Sequence, residues 1–125
     1  MKALKLFFLA AVLSLGLSAC DGNENLPKKI SDNQVYFFYQ TICPHCHHAA
    51  DYVKKKYPDL NIVAVNIAQH DGFKLFEKCA RKFDLTENLG TPLFCMGDKY
   101  LMGWSSSYEK QFDAYVQPFL NKQAR

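Results

Sequence analysis

No stretch of this 125-residue sequence reaches the run of about 20 apolar residues that a membrane-crossing helix needs. The longest uncharged apolar run, Leu6 to Leu17, falls short of that length. Basic patches are missing too. Lys54-Lys55-Lys56 is the only run of three cations, at the end of a predicted helix, where cations complement the exposed carbonyls. No nucleic-acid partner is therefore expected. The chain has no internal repeat and no low-complexity tract, and it offers no second CxxC and no HxxxH. A structural zinc site usually draws ligands from two separated segments, so the single Cys/His cluster here is poorly supplied for one.

The short apolar run nevertheless has a use. With Lys2 and Lys5 before it, it reads as a secretory signal peptide. Its end, Leu17-Ser18-Ala19-Cys20, resembles the lipobox of bacterial lipoproteins. The resemblance implies cleavage before Cys20 and a lipid on that cysteine; an ordinary signal peptide or an uncleaved anchor are the alternatives. Asp21 resembles the signal that retains such proteins at the inner membrane. The expected plan is a signal over 1–19, a lipidated tether over 20–32 and a domain over 33–125, facing the periplasm. Once Lys2 and Lys5 leave, the formal charge of +3 falls nearly to neutral.

Five cysteines are an odd number. Lipidating Cys20 removes one and leaves Cys43, Cys46, Cys79 and Cys95, in a compartment where disulfides persist. Cys79 and Cys95 both fit inward positions. They read either as a structural disulfide or as buried free thiols, which pack as small apolar side chains.

The order of elements follows from periodicity. Val35-Tyr36-Phe37-Phe38-Tyr39 is an unbroken β-branched and aromatic run, expected for a strand buried on both faces. A helix is predicted from Pro44 to Tyr57, with Cys46, Ala50, Val53 and Tyr57 inward, and a strand over 61–67. His70-Asp71-Gly72 is read as a turn. A helix then covers 73–83 with Phe73, Phe76, Cys79 (or Ala80) and Phe83 inward. Leu93–Met96 and Lys99–Met102 form a hairpin about Gly97-Asp98. Ser106 to Glu109 has capping-box spacing and opens a last helix that Pro118 kinks or shortens. The order β-α-β-α-β-β-α predicts an α/β domain: a mixed four-stranded sheet with helices on both faces. Trp104 is expected to pack, with a rim role near the active site as the alternative.

The chemistry lies in Gln40 to His48, QTICPHCHH. Cys43 falls where a strand ends and a helix begins, and Pro44 suits the first helical position. The Cys43 sulfur then meets free backbone N–H groups and the positive end of the helix, which favour thiolate over thiol. His45 can add a donor or a charge. Cys46, one turn on, faces inward and is placed to resolve a mixed disulfide. A stable Cys43 thiolate is a good leaving group, which makes the pair an oxidant of other thiols. The same side chains, with His47 and His48, are also zinc or copper ligands by type. A helix points those two histidines in different directions, so no metal and no cofactor is expected. For each of them a solvated helix face is the simpler reading.

The strand–CPHC–helix unit, Gly90-Thr91-Pro92 at the entry to the next strand and Gly103 beyond the hairpin together resemble the thioredoxin superfamily, over residues 35 to 120. CPHC is the active-site sequence of DsbA-type thiol oxidases, whereas GTPLFCMGDKYLMGW looks more like DsbC/DsbG-type isomerases. The resemblance implies a thioredoxin-like fold, a cis proline at Pro92 beside the CxxC, and pairing of an extended substrate with the backbone at Thr91. Three features depart from it. Phe37 stands where thioredoxins and DsbA-type oxidases place an acid, so protons must reach Cys46 through water, His47 or His48. The helical insertion of the oxidases and the dimerisation domain of the isomerases are both missing, and a monomer is expected. The expectation is a lipid-anchored thiol–disulfide oxidoreductase acting on protein thiols and disulfides with a membrane or periplasmic redox partner. A reductase or isomerase, or a metal-carrying module, are the alternatives.

Overall fold

A computed structural model describes residues 25–123. The predicted signal peptide, Cys20 and Asp21 lie outside the described residues. The elements are β1 (Val35–Tyr39), α1 (Pro44–Lys56), β2 (Ile62–Asn66), α2 (His70–Lys82), β3 (Leu93–Met96), β4 (Lys99–Met102), α3 (Ser106–Tyr115) and α4 (Gln117–Gln123). Among the described residues no helix is long and apolar enough to cross a membrane.

The four strands form one sheet in the order β2-β1-β3-β4. β1 runs parallel to β2 and antiparallel to β3, and β3 and β4 form the hairpin. The sequence accounts for this order. VYFFY and LFCM are apolar at every position and occupy the two central strands, buried on both faces. Lys99 and Tyr100 of KYLM tolerate an edge.

Alternation splits the core in two. Val35, Phe37, Phe94 and Met96 face α1, α3 and α4, where Cys46, Ala49, Val53, Phe112, Val116 and Phe119 complete one cluster. Tyr36, Phe38, Leu93 and Cys95 face the other way, against Leu75, Phe76 and Cys79 of α2. Burying a side chain such as Phe112 stabilises the fold by about 1.5–3 kcal/mol.

Several expectations are corrected. His70-Asp71-Gly72 is not a turn but the first turn of α2, with Gln69 as an N-cap that makes no side-chain capping bond. Phe73, expected inward, is 44% exposed, and Leu75 takes the buried position instead. Ala49, rather than Ala50, is the buried alanine of α1. The N-cap of α3 is Ser105, one residue before the predicted box, and its hydroxyl meets Ser107 Oγ at 2.9 Å rather than a backbone amide. The expected interruption near Pro118 is present: α3 stops at Tyr115, and Pro118 sits in the first turn of a separate α4, where its missing N–H costs nothing.

The described part of the expected tether is held against the domain. Ser31 N–H donates to Tyr36 Oη at 2.9 Å, and Lys82 bonds Asp32 and the Gly97 carbonyl. Lys78 bonds the Lys28 carbonyl, while Leu26 and Ile30 pack on the α2-side cluster.

Candidate active site

β1 delivers the chain to the site, and a three-residue link, Gln40 to Ile42, carries it to α1. Cys43 is the N-cap in extended conformation, with Pro44 in the first turn. Its sulfur accepts the Cys46 N–H at 3.1 Å, a first-turn amide that it shares with the Cys43 carbonyl. The Cys43 carbonyl accepts from Cys46 and His47, which ties the loop into the helix. Cys43 and Cys46 are joined by a disulfide with Cα atoms 5.2 Å apart. Cys43 is partly exposed and Cys46 is 3% exposed, so an incoming group meets Cys43 first.

The Thr91–Pro92 peptide is cis, and Pro92 is fully buried. The Thr91 carbonyl oxygen lies 3.6 Å from the Cys43 sulfur. With the disulfide closed that sulfur carries no hydrogen, so this is a contact and not a hydrogen bond. A carbonyl lone pair there opposes a thiolate, whereas the Cys46 amide and the helix end favour one; the amide is nearer. Gly103 N–H donates to the Pro92 carbonyl at 2.8 Å and fixes the far side of the loop. Gly103 has φ +100, and a Cβ there would come within 3.1 Å of the Tyr108 ring. Only glycine fits both demands.

Gln40 is a site residue that sequence reasoning did not single out. Its side-chain oxygen accepts from the Thr91 hydroxyl at 3.1 Å, and its carbonyl accepts the Cys43 N–H at 3.2 Å. One side chain thus links the CxxC loop to the proline loop. Position alone, three residues before Cys43, was the only signal for it.

The histidines separate. His47 Nε2 donates to the Thr41 carbonyl at 2.8 Å and braces the loop. His45 turns its ring edge-on to His48, with centroids 6.4 Å apart. Among the described residues no three His, Cys, Asp or Glu side chains gather as a metal-ligand group. Trp104 is buried against Phe94 and Phe112, within the core. Phe37 stacks on Tyr39 and Phe94 below the CxxC, so no acid lies under Cys46 from that position.

The remaining pair, Cys79 and Cys95, is bridged between α2 and β3, with Cα atoms 6.4 Å apart, inside the range a disulfide spans. Both cysteines are at most 1% exposed. No thiol in solution reaches them while the fold is intact.

α1 is held to α3 by a polar clamp that no local pattern announced. The Asp113 carboxylate accepts from Tyr57 Oη at 2.6 Å, from Tyr52 Oη at 2.8 Å and from Lys56 Nζ at 2.8 Å. Burial alone would raise the Asp113 pKa, but the bonds from Lys56, Tyr57 and Tyr52 outweigh it and hold it below its ordinary value. Burial, then the bond to Asp113, pushes Tyr57 up to about 12 and raises Tyr52 as well. The bond to Asp113 raises Lys56 further.

No protein-family model and no curated protein matches the sequence. Solved structures do resemble the fold. A glutaredoxin of Archaeoglobus fulgidus is 17% identical with a TM-score of 0.50, spanning 66% of this chain and 85% of that one. Buckwheat glutaredoxin in complex with glutathione is 20% identical with a TM-score of 0.49, over 72% and 78% of the two chains. The fold is thioredoxin-like, as glutaredoxins have it, and it carries a CxxC disulfide at the start of α1.

Proposed function

We propose that this chain is a thiol–disulfide oxidoreductase of the cell envelope, anchored by lipid on Cys20 and donating its Cys43–Cys46 disulfide to protein thiols. The observation that carries the reading is the Cys43 sulfur at the N-cap of α1, partly exposed and accepting the Cys46 amide at 3.1 Å. The fold resembles that of a glutaredoxin, the Cys43–Cys46 pair stands at a strand–helix junction, and the leading residues read as an export signal.

The steps balance as follows. A substrate thiolate attacks Cys43 Sγ, its electron pair forms the mixed disulfide, and the pair of the broken S–S bond leaves on Cys46, which then takes a proton. A second substrate thiolate attacks the substrate sulfur, and Cys43 leaves as thiolate. The substrate is oxidised by two electrons and the CxxC pair is reduced by two. The amide and the helix end stabilise that departing thiolate and drive the reaction toward donation. Thr91 and Pro92 sit where an extended substrate would lie. A membrane or periplasmic partner must reoxidise the pair.

Acid trapping and alkylation in the producing cell tests the direction. A predominantly oxidised Cys43–Cys46 pair fits the proposal. A predominantly reduced pair would make the chain a reductase or isomerase. Cys20→Ser should move the protein out of the membrane fraction or leave its signal uncleaved; unchanged fractionation and mobility would remove the lipid anchor.

A further inference from the structure

β2 lies on the opposite side of β1 from the proline loop. There a cavity of about 680 Å3 opens between α1 and the β1–β2 half of the sheet. Its volume falls in the range of small-ligand sites, roughly 300–1,000 Å3. It is elongated, because Cys46, Ala50, Val53, Lys54 and Tyr57 line it in succession along about 16 Å of helix. Its inner wall is Phe37 and Phe94, and its outer wall includes Leu60, two residues before β2, with Ile62 and Ala64 of the β2 edge.

No carboxylate lines the cavity; Lys54 is its one lysine, and the imidazole of His47 is its other basic group. His47 is already committed to the Thr41 carbonyl. Lys54 has neither an ion pair nor a hydrogen bond among the described residues. It stands eight positions along α1 from Cys46, about 12 Å at the helical rise. A long apolar channel with a free cation near one end and none of the opposite charge matches an elongated apolar molecule ending in an anion.

We propose that this cavity binds an unbranched acyl carboxylate, its head on Lys54 and its chain running along α1 to end against Cys46. Binding stands independently of the redox reading. Its consequence rests on that reading. Phe37 supplies no proton, so Cys46 exchanges its proton with water on this side, and a bound chain displaces that water and slows the steps in which Cys46 leaves or attacks.

Calorimetric titration of the purified protein with octanoate, decanoate and decanol, below their aggregation limits, tests the site. Saturable 1:1 binding is expected, tightening roughly fourfold for each added methylene that is buried. Ala64→Trp fills the outer wall from an exposed strand position, and Ala50→Leu fills it from the helix. Either should abolish binding while circular dichroism and melting remain those of the wild type. Lys54→Glu should weaken decanoate and leave decanol unchanged. No saturable binding, no dependence on chain length, or wild-type binding by both filled variants would overturn the proposal. Decanol binding as tightly as decanoate to the wild type would overturn its assignment to a carboxylate. Decanoate should also slow reduction of Cys43–Cys46 by dithiothreitol severalfold in the wild type and not in Ala64→Trp. Binding without any dithiol exchange activity would sink the redox reading and leave the site standing.

Discussion

Each face of the sheet carries one disulfide, and the two bonds live in opposite settings. Cys43–Cys46 spans three positions at a helix start, with one sulfur reachable from solvent and bonded to a backbone amide. Cys79–Cys95 spans 16 positions between a helix and a central strand, in a core with no route for water. The first constrains almost nothing, since residues one turn apart are already held by the helix. The second closes a loop and cross-links two elements. On the proposed function the same covalent bond is a reagent on one face and a brace on the other, and exposure and loop length decide which.

The largest expected effect separates the reagent from the brace outright. Cys43→Ser should abolish dithiol exchange, and Cys46→Ala should accumulate mixed disulfides that survive acid quenching and non-reducing electrophoresis. Cys79→Ala with Cys95→Ala should do neither. Retained exchange in Cys43→Ser, or trapped adducts on Cys79 or Cys95, would break the division.

Next comes stability. Removing Cys79–Cys95 by the double alanine substitution should cost on the order of 3 kcal/mol in the chain-entropy account of a loop this size. Denaturant unfolding would measure it. Replacing Cys43 and Cys46 by alanine should change stability far less. With Cys43 and Cys46 both replaced by serine, the denatured, unreduced protein should show two fewer alkylatable thiols than the reduced one.

The third effect is a titration. After reduction, Cys43 should ionise well below the free-thiol value of about 8.5, because the Cys46 amide and the end of α1 favour its thiolate. Thiolate absorbance on the Cys46→Ala variant reads this. His45→Ala should raise the value modestly, because it removes a polar ring from between the two cysteines in the sequence. A Cys43 that titrates like a free thiol would remove the oxidising character.

The contrast also marks what a sequence displays. The placement of the CxxC was legible: Cys43, Pro44 and Cys46 are local, and Thr91-Pro92 opens the strand whose entry lies against them. The central strands were legible because LFCM and VYFFY have no polar position. What stayed hidden depends on chain separation or on missing signals. The start of α2 has no side-chain cap and includes Gly72, so His70-Asp71-Gly72 imitated a turn. Residues 25–32 are polar like a linker, yet contacts to Tyr36, Lys78 and Lys82 hold them, the last two about 50 positions away. Gln40 gains its role from Thr91, 51 positions on.

The smallest effect concerns how the CxxC face is braced, since its own disulfide does not do it. Asp113 joins α3 to Tyr52, Lys56 and Tyr57 of α1 and its cap through charge-assisted hydrogen bonds. Such a brace depends on pH and ignores reductant, the reverse of the Cys79–Cys95 bond. The Tyr57 pKa stands at about 12, above its ordinary 10.0, so the folded state holds that proton more tightly. Its contribution is then complete below about pH 10 and is lost as pH rises through about 12. The Asp113 pKa is depressed below its ordinary 3.8, so its contribution is present above that value and fades as pH falls through the lowered one. Tyr57→Phe should cost about 1–2 kcal/mol near neutrality, as a bond to a charged acceptor is lost. Its difference from the wild type should shrink between pH 10 and 12, and dithiothreitol should leave that difference unchanged. If the two stability curves instead run parallel through that range, Tyr57 is not donating to Asp113, and the clamp between α1 and α3 rests on Tyr52 and Lys56.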